Sequence, residues 1–292
     1  MNIDWKNNGP VVIGGMGGSG TRLVAELCSL FDIYIGDDLN VASDNLLYTL
    51  LFRRRVWFYK TYQNKKQISI GLSLLEKLLL KNYGLSPKEI WFLIYAVTDM
   101  TLHYLDERIW SFGRLRQIIR NPGFNDHSYL GWGWKEPNSH LLLSNLSEQF
   151  QSLKFIHTIR HGADMAFSTN QRQLRAWGDL FDIPKPTSDE EIPRASLKFW
   201  ARSNKTVADL GKSLGSNKYL QINFDTLCKN PGKIINELIS FLEIEIDQDT
   251  YQSALALPKI PKTLGRYKSH DLSQFDPEDL EIVKSFGFSL NK

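Results

Sequence analysis

The chain has little of what would assign it by composition. Only two cysteines, Cys28 and Cys228, occur among 292 residues, too few for a disulfide framework or a cysteine-ligated zinc site, and both sit in apolar patterns where a thiol serves as a small hydrophobe. No apolar run approaches the roughly 20 residues that cross a bilayer. The polar start MNIDWKNNGP and the early Gly14 leave no apolar core for a signal peptide, so a soluble, cytoplasmic protein is expected. Charge of one sign is also scarce. The 35 Lys and Arg against 32 Asp and Glu leave +3, which excludes nucleic-acid coating and a polybasic membrane tether, so any basic site must be local. There is no internal repeat and no low-complexity tract.

What is there is the residue pool of a folded protein, with 16 Phe, 11 Tyr and 8 Trp. The length suits one enlarged domain over residues 1–292. Residues 11–15 form a short apolar run ending in glycine. In residues 21–31, Leu23, Leu27 and Leu30 stand beside Val24, Cys28 and Phe31 at helical spacing. This reads as strand, glycine-rich turn, helix, and residues 33–35 read as a second strand closing a parallel β-α-β unit. Residues 41–117 carry helical patterns and form a helical insertion. Within it, residues 53–66 hold six cations and no acid, read as a solvated face without a role. Strands at 131–135, 153–159 and 219–222 alternate with helices at 141–150, 163–174, 195–214 and 233–242. That alternation predicts an α/β protein with a mostly parallel sheet flanked by helices. Residues 179–193, with three prolines and five acids, read as a lid loop.

The glycine turn carries chemistry. Gly14-Gly15-Met16-Gly17-Gly18-Ser19-Gly20-Thr21-Arg22 places five glycines at a strand-to-helix junction, where N–H groups can turn inward and the helix start adds free donors and partial positive charge. Ser19 and Thr21 supply hydroxyls and Arg22 a full charge, a set that suits a phosphate or sulfate. The Walker A pattern GxxxxGK[ST] fails, because Thr21-Arg22 follows Gly20. Gly15, Gly17 and Gly20 do satisfy GxGxxG, and Asp37 follows at about the spacing of a ribose-binding acid. The loop alone therefore leaves an NAD(P)-dependent Rossmann oxidoreductase open.

A second segment bears on this choice. Trp132-Gly133-Trp134-Lys135-Glu136-Pro137-Asn138 is followed 25 residues after Lys135 by Arg160, at the end of an apolar strand, and Ser168 lies eight residues beyond Arg160. With the glycine turn, these segments resemble the sulfotransferase family. The resemblance implies a three-layer P-loop-like fold and transfer of a sulfuryl group from 3′-phosphoadenosine 5′-phosphosulfate (PAPS) to a hydroxyl or amine of a small-molecule, carbohydrate or lipid acceptor. The released product is 3′-phosphoadenosine 5′-phosphate (PAP), and no metal is required. It implies that Gly17, Gly18, Ser19, Gly20, Thr21 and Arg22 hold the 5′-phosphosulfate and that Arg160 and Ser168 hold the 3′-phosphate. The segment Asn223-Phe224-Asp225-Thr226-Leu227 resembles the family's "YEDL" element, with Phe224 offering an aromatic face to adenine. Gly265-Arg266-Tyr267-Lys268 resembles its terminal basic segment, with Arg266 at the nucleotide. The chain departs from the family at Gly18, where many members carry Lys or Arg, so that a PAP-binding module without catalysis is a further alternative, and Arg22 or Lys135 would have to supply the missing charge.

Sulfuryl transfer needs a base for the acceptor proton and a cation for the developing charge. Glu136 is the first candidate for the base and Lys135 for the cation. Glu136 has a structural reading beside this one, as a partner of Lys135 or a cap for the helix beginning near Asn138. His140, His157 and His161 are the alternative bases, with His157 expected to be packed inside a strand and His161 to aid nucleotide binding.

Overall fold

The computed structural model describes residues 9–82, 84–103, 108–120 and 129–291. Five strands, β1 (Val11–Gly15), β2 (Ile33–Tyr34), β3 (Gly131–Lys135), β4 (Lys154–Ile159) and β5 (Tyr219–Asn223), form one sheet in the order β2-β3-β1-β4-β5. Every neighbouring pair is parallel. β1 and β3 are buried along their whole length, as expected for parallel strands covered on both faces.

Side chains alternate between the two faces. Val12, Trp132, Trp134 and Phe155 enter one core, whereas Val11, Ile13, Ile33, Ile156 and Ile222 enter the other with Val24, Leu27, Ile235 and Leu238. The first core is closed by the helix Ile192–Leu214 and by helices from between β2 and β3, which contribute Leu47, Leu51, Leu72 and Leu75. The second is closed by Thr21–Leu30 and Pro231–Leu242. The result is three layers.

The expected elements form, with four differences. β1 and β2 are not neighbours, because β3 inserts between them; the first crossover therefore skips a strand. The expected helix over 163–174 breaks into Gly162–Ala166 and Arg172–Trp177. Ser168 Oγ accepts the Asn170 N–H at 3.2 Å, and the Gln171 amide donates to the Met165, Ala166 and Ser168 carbonyls, so side chains satisfy the backbone that a helix would have used. The helix expected at 141–150 starts as a 3-10 turn, Pro137–Leu142, before Leu143–Gln149. The helices expected from 195 and 233 begin earlier, each with a proline in its first turn, where the missing N–H has no intrahelical partner to lose. Residues 41–117 are mostly helical, as expected: Leu46–Phe52, Arg55–Thr61, Lys65–Leu79, Pro87–His103 and the start of Arg108–Arg120. Among the described residues no helix is long and apolar enough to cross a membrane.

Register positions the site. Gly15 pairs with Thr158 and Ile13 with Lys135. The turn after β1, Glu136 after β3 and Arg160 after β4 therefore emerge side by side at the carboxyl edge of the sheet, the edge where ligands collect in open α/β folds.

Candidate functional site

A cavity of about 490 Å³ opens at that edge, walled by Gly17, Gly18, Gly20, Thr21 and Arg22 from the turn, Lys135 and Glu136 from the end of β3, and Phe224 after β5. The turn is held by Ser19 N–H donating to Met16 O at 2.9 Å. Gly18 and Gly20 both have φ of +95°, a region side chains rarely enter. A Cβ on Gly20 would also lie 2.0 Å from the Phe224 ring, so the aromatic can seat against the turn only because residue 20 has no side chain. Gly20 offers no side-chain cap to the helix Thr21–Leu30, which leaves first-turn N–H groups for a ligand. Ser19 Oγ is buried without a hydrogen-bond partner, an arrangement that costs free energy unless something binds there.

Lys135 and Glu136 are both 2% exposed. Lys135 does not pair with its neighbour: its Nζ donates to Ala42 O at 2.9 Å and forms an ion pair with Asp44. Glu136 faces the cavity and also caps the 3-10 turn, its two oxygens accepting the Asn138 N–H at 2.6 Å and the Asn138 side-chain amide at 2.9 Å. The capping role and the cavity position thus coexist. Burial pushes the Glu136 carboxyl up to about 7, Asp44 adds to the rise, and Arg53 and the Asn138 bonds oppose it. A carboxyl poised near neutrality is suited to exchanging a proton.

Two amides connect the turn to this carboxylate. Gly17 N–H donates to Gln173 Oε1 at 2.6 Å, and Gln173 Nε2 donates to Asn138 Oδ1 at 2.8 Å. Asn138 then donates to Glu136, so the chain of bonds runs unbroken from the glycine turn to the acid.

Arg160 sits just outside the cavity wall. Its guanidinium lies 5.4 Å above the Phe224 ring, approaches Gly18 O at 3.5 Å and donates to Thr263 Oγ1 at 2.8 Å. Its buried Nε has no partner. The segment carrying Thr263 and Arg266 is drawn in by Asp164, whose carboxylate accepts the Gly265 N–H at 2.7 Å and the Tyr267 N–H at 3.0 Å. Arg266 donates to Phe167 O at 3.2 Å, adjacent in the chain to Ser168. The turn, Phe224, Arg160 and Arg266 are therefore brought into one neighbourhood. Ser168 lies in the broken helix rather than on a helical turn, with its hydroxyl accepting a local backbone bond.

The histidines leave the cavity. His140 bonds Pro137 O and Ser203 Oγ, and burial pulls its pKa down to about 4. His157 is packed between Tyr219 and Asn204, and burial pulls its pKa down to about 3. His161 stacks on Tyr267 at 4.2 Å and bonds Ser289 O. Asp37, the acid of the dinucleotide reading, is bound to Tyr34 and Lys81 and is not part of the cavity wall. Arg22 is on the wall but pairs with Glu26 and is 59% exposed. The wall also holds Asn138, the last residue of the second motif, and Asp44, Arg53, Arg172 and Gln173, four residues to which the sequence pattern gave no role; Arg53 belongs to the cation-rich run read as solvated.

A family model described as "Sulfotransferase family" matches residues 10–248. Among solved structures, the sulfotransferase domain from the Synechococcus PCC 7002 olefin synthase superposes with a TM-score of 0.53 at 17% identity, covering 100% of this chain and 99% of that one. The sulfotransferase domain from the curacin biosynthetic pathway gives 0.52 at 16% identity, over 97% and 99%. At these identities the likeness is one of fold, the three-layer P-loop-like arrangement with a parallel sheet. No curated protein matches the chain.

Proposed function

Because the chain belongs to the sulfotransferase family, we propose that it transfers a sulfuryl group from PAPS to the hydroxyl or amine of a small-molecule, carbohydrate or lipid acceptor and releases PAP. The observation that carries the reading is the shared wall of one cavity: a glycine turn running into an uncapped helix start, beside a buried carboxyl poised near pH 7. Unpartnered Ser19 Oγ and Arg160 Nε support a ligand with an anion at each end. Gly17, Gly18, Ser19, Gly20, Thr21 and Arg22 would hold the 5′-phosphosulfate, Phe224 the adenine, and Arg160, Arg266 and Ser168 the 3′-phosphate.

In the transfer, Glu136 as carboxylate accepts the acceptor proton. The acceptor oxygen or nitrogen bonds to sulfur as the bond from sulfur to the 5′-phosphate oxygen breaks, and PAP leaves with that electron pair. Positioning and charge stabilisation supply most of the acceleration in such in-line transfers. The backbone of the turn can supply fixed donors. Lys135 is neutralised by Asp44, so its contribution is to orient the loop after β3 as much as to offset charge.

Calorimetric titration with PAP, followed by incubation with sulfur-labelled PAPS and an acceptor panel, tests the reading. Saturable PAP binding with label transferred to an acceptor is expected. Tight NAD binding without PAP binding would remove it, and PAP binding without transfer would leave a nucleotide-binding module, the alternative that Gly18 motivates.

A further inference from the structure

Beyond the carboxylate, the cavity continues into a second one of about 460 Å³ that shares Asn40, Arg53 and Arg172 with it. None of the glycine-turn residues lines this second space. Its wall instead carries three arginines, Arg53, Arg55 and Arg172, with Trp110 and Trp177. The arginines come from three separate places: the end of the helix Leu46–Phe52, the start of Arg55–Thr61 and the start of Arg172–Trp177.

The charge balance there is one-sided. Arg55 is paired with Asp179 of the acidic loop at 3.6 Å; of the acids on the first cavity's wall, Asp44 is taken by Lys135, and Glu136, which feels the charge of Arg53, bonds Asn138. Among the described residues Arg53 and Arg172 have no carboxylate within ion-pair distance, although both line the junction of the two spaces. Arg160 and Arg266 lie instead at the opposite end, beyond Phe224. Two arginines without an ion-pair partner on one wall, with tryptophan lining the same space, suit a planar or tetrahedral oxyanion attached to an apolar body.

We propose that the acceptor is itself anionic: a hydroxyl or amine compound whose carboxylate or phosphate is held by Arg53 and Arg172 while its nucleophile meets Glu136. This rests on the sulfuryl-transfer reading for the role of the first cavity, but the anion site stands on its own residues. It narrows the acceptor class from any nucleophile to one carrying a negative head on the side away from the donor.

The test uses the full-length protein, with Arg172→Gln and the double variant Arg53→Gln/Arg172→Gln, titrated by calorimetry with 4-hydroxyphenylacetate and its methyl ester, with and without saturating PAP. The acid is expected to bind at least about tenfold more tightly than the ester, as loss of a charged hydrogen-bonded partner implies. That preference should fall below about threefold in the double variant, while PAP affinity stays within about twofold of wild type. Competition by inorganic phosphate or by acetate against the acid tells which head group is favoured; either supports the site, and competition by neither overturns it. Equal affinity for acid and ester, no binding of either, a preference that survives the double variant, or a tenfold loss of PAP affinity in Arg172→Gln would each overturn the proposal. If the wild type binds no PAP yet keeps an acid preference that the variants abolish, the donor reading fails and the anion site remains.

Discussion

The two sides of the cavity are built by different means. On the side of the glycine turn, the binding groups are backbone N–H donors and residues at strand ends, fixed by the pairing of β1 with both β3 and β4. On the other side they are long side chains, Arg53, Arg172, Gln173 and Asp44, delivered by helices and loops from between β2 and β3 and after β4. Backbone donors at a strand-helix junction suit any phosphate or sulfate and tolerate little change in sequence. Side chains on separate elements can be exchanged one at a time.

Separate variants should pull the two sides apart. Glu136→Gln is expected to lower kcat by about 10² to 10⁴, the usual worth of acid-base assistance, with PAP affinity within about twofold of wild type; single-turnover kinetics and calorimetry check both. Full turnover in that variant would return the search for a base to the acceptor itself. Arg160→Ala should do the reverse, weakening PAP by about 10- to 100-fold, as the loss of a charged hydrogen bond predicts, with the rate at saturating donor much less affected.

Titration of Glu136 gives a further pair of tests. As its carboxyl lies near 7 and must be ionised to take a proton, kcat/KM should rise with pH and level off above an acidic limb near 7, a limb missing from the profile of PAP affinity. The same shift works against stability. The ordinary value of 4.5 is raised to about 7 in the folded chain, so the fold favours the protonated form. Stability is fully present below about 4.5, falls as pH rises through about 7, and the penalty stays above that. At about 1.4 kcal/mol per unit it is up to about 3 kcal/mol. Glu136→Gln should therefore raise the urea midpoint at pH 8 and leave it nearly unchanged at pH 4. The smallest effect belongs to Gln173→Ala. Cutting the amide chain between Gly17 and Asn138 should lower kcat by a few-fold and move the acidic limb, whereas a merely structural glutamine would leave the limb in place.

The difference between the sides also governs what could be read from sequence. The glycine turn, β3, β4 and Arg160 were legible because the signals are local: five glycines at one junction and continuous apolar runs flanking them. Glu136 could be singled out because it directly follows a strand. The strand order was not legible, since nothing local in residues 33–35 reveals that β3 inserts beside β1. The break at Ser168 escaped because the helical pattern continues through it and only side-chain bonds from Ser168 and Gln171 undo it. Arg53 was hidden in a run of six cations that share no fate: Arg54 is buried against Asp99 and the Trp57 ring, Lys65 is at the surface with Glu148, and Arg53 reaches the cavity. Charge runs do not declare which member turns inward.

The central place of β1 has a thermal consequence. A strand bonded along both edges cannot be released without opening the sheet, so the bonded amides of β1 should exchange with deuterium only through global unfolding, far more slowly than the uncapped amides of the glycine turn that follows it. Helices resting on one face from between β2 and β3 can loosen earlier. On warming, the wall that Arg53, Arg55 and Trp110 form should lose its shape while the strand behind the glycine turn keeps its own, leaving a temperature window in which one half of the cavity is set and the other is not.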